Sequence, residues 1–150
     1  MNRLSLSLEA QCSSLAEYSG SAKLVINEGE DYAFSGAKSF NFIKLEKDAS
    51  LLLCGSWTVS NDVDIKENAL LELNGSMSVG SNKKQKEIKV EKGATFRIEG
   101  NITIYGDLIL EDDSTIEFIG EDSVMNIFGE VDMGDDVTVS GVFEDVRNRF

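Results

Sequence analysis

One segment, Ile88 to Gly100 (IKVEKGATFRIEG), recurs five more times along the chain with chemically equivalent residues, and this repetition limits the possible folds more than any other feature. Its first position is occupied in turn by Leu24, Ile43, Val63, Ile88, Leu108 and Val131, and the position two residues later by Ile26, Leu45, Ile65, Val90, Leu110 and Met133. Alternate residues of a strand share a face, so each pair points to one side. Five positions after the start stand Gly29, Asp48, Asn68, Gly93, Asp113 and Asp136, the residue types that enter a left-handed backbone at least cost. That column predicts a turn. A second apolar pair follows, Tyr32, Leu51, Leu71, Phe96, Ile116 and Val139, then Phe34, Leu53, Leu73, Ile98 and Phe118, closed by Gly36, Gly55, Gly75, Gly100 and Gly120. A third short strand carries Trp57 and Val59, Met77 and Val79, or Ile102 and Ile104.

Successive starts lie 19, 20, 25, 20 and 23 residues apart, the scale on which self-similarity means a stack of repeats. The apolar period is two throughout, and no repeat has an uninterrupted stretch long enough for a helix. The expected fold is all-β: a right-handed single-stranded parallel β-helix (β-solenoid) of about six coils, ~20 residues per coil, whose like residues pile into ladders ~4.8 Å apart. The 150 residues form one domain, with repeats over 24–141, a cap or degenerate coil over 1–23 and a cap over 142–150, where Val142, Phe143, Val146 and Phe150 stand at helical spacing. Ser81 to Glu87 (SNKKQKE) reads as a solvated loop inserted into one coil.

Outward positions agree with this register. Lys44, Asp64 and Lys89 alternate in sign in one column, Glu46, Lys66 and Glu91 in a second, and Glu72, Arg97 and Glu117 in a third, as adjacent rungs favour. All three columns are expected to be exposed. Leu52 and Leu70 on the second strand, and Val25 and Ile109 on the first, are outward apolar residues, a pattern that marks an assembly surface when it forms a patch.

Composition narrows the function. Histidine is absent, which removes histidine-dependent triads and histidine metal sites, and two cysteines are too few for a zinc constellation or a disulfide framework. Cys12 and Cys54 are expected as free thiols, in keeping with a reducing compartment. The serine-broken opening is a poor signal peptide, so the cytoplasm or a virion is favoured, and no segment reaches membrane-spanning length. With 27 acidic against 14 basic residues the net charge is −13, a balance that repels nucleic acid and anionic membrane. From Asp107 to Val146 there are thirteen acidic residues and no basic ones. Glu111, Asp112, Asp113, Asp135 and Asp136 fall in adjacent turns, where a calcium site is conceivable and a solvated acidic edge is the ordinary reading.

The form I-x-V-E-K-G-A-x-F-x-I-x-G resembles the columns of right-handed β-solenoid proteins, a group that includes bacterial surface adhesins, polymerising bactofilins and phage structural components. The resemblance spans residues 24 to about 140 and implies an architecture rather than an activity. The expectation is therefore a non-enzymatic structural or assembly module, without cofactor, metal or catalytic residues. Its rigid surface docks onto itself as a homo-oligomer or onto a larger protein assembly. The alternative is an acidic inhibitor, a DNA mimic or a neutraliser of a basic toxin. The candidate partner surface is Leu52, Leu70, Ile109, Glu111, Asp112, Asp113, Asp135 and Asp136.

Overall fold

The computed structural model describes residues 11–141, and the two terminal segments for which caps are expected lie wholly or partly outside that range. Among the described residues thirteen strands build two parallel sheets. The first contains, in spatial order, β1 (Lys23–Ile26), β3 (Phe42–Leu45), β5 (Val63–Ile65), β7 (Ile88–Val90), β9 (Leu108–Leu110) and β12 (Val131–Met133). The second runs β13 (Thr138–Ser140), β10 (Thr115–Phe118), β8 (Thr95–Ile104), β6 (Leu70–Val79), β4 (Ser50–Val59) and β2 (Asp31–Phe40), with β11 (Val124–Ile127) also paired to β8. The chain alternates between the sheets, so each coil lies on the one before it. This is a β-solenoid of about six turns, about twenty residues per turn.

The apolar columns fall in register. Leu24 pairs with Ile43, Ile43 with Val63, Val63 with Ile88, Ile88 with Leu108 and Leu108 with Val131. On the other sheet Tyr32, Leu51, Leu71, Phe96, Ile116 and Val139 form an equally unbroken series. From the second coil to the fifth these inward residues have essentially no exposed surface. Between the sheets the chain turns through Asp48, Asn68, Asp113 and Asp136, all at φ between 58° and 62°. The amide after each of the first three turn residues bonds back three residues, Ala49 to the Glu46 carbonyl and Ala69 to that of Lys66, for example. The turn residue's own amide reaches the next coil, as from Asp48 to Glu67 and from Asn68 to Lys92, so the turns are laddered like the strands.

Two details differ from the expected coil. The second and third strands are continuous: β4, β6 and β8 each run ten residues through the glycine. Gly36, Gly55, Gly75 and Gly100 take φ of 130° to 143° at that point, so the strand bends without leaving its ladder. A Cβ at Gly75 would lie 1.9 Å from the Gly55 carbonyl oxygen, which explains why glycine recurs in this column. Gly120 does not belong to it. Phe118 pairs with Ile98 but Val124 pairs with Asn101, so Ser123 stands opposite Gly100 and the extra residues of that coil are 120–122. Ser123 accepts the Gly100 amide through its hydroxyl at 3.0 Å, and Gly120 faces open space.

The two ends of the stack differ. At the N-terminal end Tyr18 is buried edge-on against Phe34 and Phe40, and Phe40 stacks on Trp57. The Tyr18 amide donates to the Ser35 carbonyl at 2.8 Å and the Ser35 amide to the Ala16 carbonyl at 2.9 Å, which adds a partial rung to the edge of β2. At the other end Val131, Val137 and Val139 only partly close over the core, and Met133 is 52% exposed in a column otherwise buried.

Candidate partner surface

The candidate residues separate into three places. Ile109 and Glu111 lie on the outward face of the first sheet, where Ile109 is flanked by Lys89 and Asp132 and is half-buried. With Lys92, Asp112, Asp132 and Gly134 they line a shallow groove of about 410 Å³. Asp112, Asp113, Asp135 and Asp136 stand exposed at the adjoining turns. Leu70 is half-buried on the second sheet, between Ser50 and Thr95.

Leu52 corrects the expected surface. It points away from the core but is only 1% exposed, because Cys12 and Leu15 pack over it from residues 11–18. The cysteines correct the expectation of free thiols: Cys12 and Cys54 are joined in a disulfide with Cα atoms 5.9 Å apart. Cys54 is the outward residue two positions after Leu52, so the bond fastens the N-terminal segment to that face. Cysteine count alone gave no sign of the pairing, since the two lie 42 residues apart.

The third correction concerns charge. Glu72, Arg97 and Glu117 occupy the Leu52 column, yet Glu72 is fully buried and Arg97 is 6% exposed. Arg97 donates from one terminal nitrogen to Glu72 at 2.6 Å and from Nε to Glu117 at 3.0 Å, so one guanidinium bridges three coils. The buried Glu72 carboxylate attracts it much more strongly than it would in water, which offsets part of the cost of desolvation, while Glu117 meets it from the solvent side. The available sequence signal was Leu52 itself. An apolar residue in the same outward column as charges indicates that something lies across the face.

In the partly exposed columns one ion pair, Lys66 with Glu91, joins adjacent rungs of a column as read, and the other contacts run between columns. Lys66 meets Glu91 at 3.2 Å on the next rung and Asp64 at 3.7 Å on its own strand, and Lys89 meets Glu111 at 3.6 Å. The hydrogen bond that the Lys66 ammonium donates to Glu91 holds it above the usual lysine range, against the opposing effect of partial burial. Glu87 shifts upward for the opposite reason: burial disfavours its charge, and Asp62 repels it.

The acidic turns are committed locally. Asp112 Oδ1 accepts the Asp135 amide at 2.8 Å, and the Asp113 amide donates to the Asp135 carbonyl at 2.9 Å. Among the described residues no group of three acidic or cysteine side chains converges as a metal site would require, and no helix is long and apolar enough to cross a membrane. The chain matches no protein-family model, no curated protein and no solved structure. Its class, a parallel β-solenoid repeat protein, therefore rests on the register of its own strands.

Proposed function

We propose that the protein is a non-enzymatic assembly module that docks through the C-terminal end of its solenoid onto a protein partner, either a second copy or a larger assembly. The observation that carries this reading is the partly open coil at the C-terminal end of the described residues. Met133 stands 52% exposed in a column whose other members are 3% exposed or less, and Val131, Val137 and Val139 are only partly covered. Apolar surface left open on a rigid, laddered platform gains by burial against a partner, and the platform loses little conformational freedom in docking. The groove formed by Ile109, Glu111, Asp112 and Asp132 adjoins this end and gives it a charged rim.

The test is a pair of variants measured by light scattering and pull-down at low and high salt. Met133→Ser with Ile109→Ser should abolish association, whereas charge reversal at Glu111, Asp113 and Asp136 should weaken it modestly. Salt-sensitive binding that survives the first variant and is lost in the second would replace assembly by the acidic-inhibitor reading, because only a charge-driven contact weakens steeply with ionic strength.

A further inference from the structure

The two halves of the N-terminal segment are fastened differently. Residues 16–18 join the β2 edge by two backbone hydrogen bonds, and Tyr18 is sealed between Phe34 and Phe40. Residues 11–15 instead lie across the outward face of β4, where Leu15 and Cys12 cover Leu52 in a small apolar cluster separate from the main core. The Leu15 carbonyl accepts the Ser35 hydroxyl at 3.1 Å, and Ser13 and Ser14 are exposed. The covalent attachment of this half to the solenoid is the Cys12–Cys54 disulfide.

We propose that the disulfide is a redox latch: it holds residues 11–15 over Leu52, and its reduction frees that strap while the solenoid stays folded. Cys54 is 5% exposed whereas Cys12 is only partly buried, so the more accessible point of attack for an incoming thiolate is Cys12. Attack there forms a mixed disulfide and releases Cys54 as a thiolate, which takes a proton from water. The second thiolate of a small dithiol then closes the reagent's own disulfide and releases Cys12, completing a two-electron reduction. Neither cysteine belongs to the main core cluster, and the ladder on both sides of β4 is made by backbone groups. The reduced chain thus keeps its coils and exposes Leu52 beside Ala33, an apolar strip that the oxidised chain conceals.

The experiment compares amide exchange and thiol alkylation of the full chain, oxidised and after treatment with dithiothreitol. Amides of residues 11–15 should exchange at least tenfold faster after reduction, Cys54 should become alkylatable, and the β4, β6 and β8 amides should keep their protection. The double variant Cys12→Ser, Cys54→Ser should show the reduced pattern without reagent. Unchanged protection of 11–15 in either reduced or variant protein would overturn the proposal. So would loss of protection across β2 and β4, which would make the bond a staple of the coils rather than a latch.

Discussion

Outward charges of alternating sign run up both sheets of this molecule, and the two sheets differ in how far those charges reach solvent. On the first sheet Lys66 sits between Asp64 and Glu91, with all three side chains partly in solvent. On the second, Arg97 sits between Glu72 and Glu117, and Glu72 is completely buried. The local geometry is similar, a cation bridging carboxylates at 2.6 to 3.7 Å. The energetics are not. In water the attraction nearly balances the side-chain entropy lost in forming it, whereas in a dry site each charge depends on its partner.

The largest effect should follow from breaking the buried ladder. Arg97→Ala removes the guanidinium that meets the fully buried Glu72 at 2.6 Å and should cost ~3 to 5 kcal/mol in denaturant unfolding. Glu72→Ala should also destabilise, by ~1 to 3 kcal/mol, because the Arg97 terminal nitrogen loses its acceptor while Nε keeps Glu117. This reverses what the sequence expectation of an exposed Glu72 implies, namely little loss on truncation. A Glu72→Ala protein as stable as the parent would show that the face is wet.

The inward neighbour provides the scale. Leu71 is fully buried, so Leu71→Ala should cost ~2 to 5 kcal/mol, and its effect should overlap that of Glu72→Ala although the two side chains point to opposite sides of β6. That overlap is the physical lesson about reading such a chain. A period of two states which side of a strand a residue occupies, and here it placed each of the paired columns in its observed register. It does not state what covers that side. The cover over Leu52 comes from residues 11–18, which lack the repeat, and the disulfide joins that aperiodic segment to a periodic one. The shift at Gly120 was hidden for a related reason. Pattern matching accepted a glycine near the right place, whereas Gly100 is matched across the ladder by Ser123, after extra residues that only the hydrogen bonds locate.

The exposed ladder should respond weakly. Lys66→Ala removes contacts to Glu91 and Asp64 and should cost ~0 to 1 kcal/mol, fading as salt is raised. Because Glu91 raises the ammonium's pKa, the Lys66 contribution is present through neutral pH and is lost as pH climbs through the folded-state value above the usual lysine range. Melting curves of parent and variant should therefore converge in strong alkali. A Lys66→Ala loss as large as that of Arg97→Ala would remove the distinction between the two faces.

The smallest effect tests a column where charges repeat instead of alternating. Asp62, Glu87 and Asp107 line one side of a depression at the edge of the first sheet, and the Glu87 amide donates to Asp62 Oδ1 at 3.0 Å. Partial burial, followed by repulsion from Asp62, raises the Glu87 carboxyl above its ordinary value; Asp107 and Asp64 act in the same direction, and Lys89 opposes them. A carboxyl that binds its proton more tightly in the folded chain contributes stability when protonated, and that contribution disappears as pH rises from the unfolded value through the folded one. At neutral pH the charged Glu87 is thus a small liability. Glu87→Gln keeps the shape and removes the charge, so it should stabilise by about 0.5 kcal/mol or less at pH 7, with the difference vanishing below pH ~4, where parent and variant are both neutral. Thermal unfolding at the two pH values measures this directly. Destabilisation at pH 7 would mean that attraction to Lys89 outweighs both burial and the neighbouring acids, which would place this column with the exposed alternating ladders.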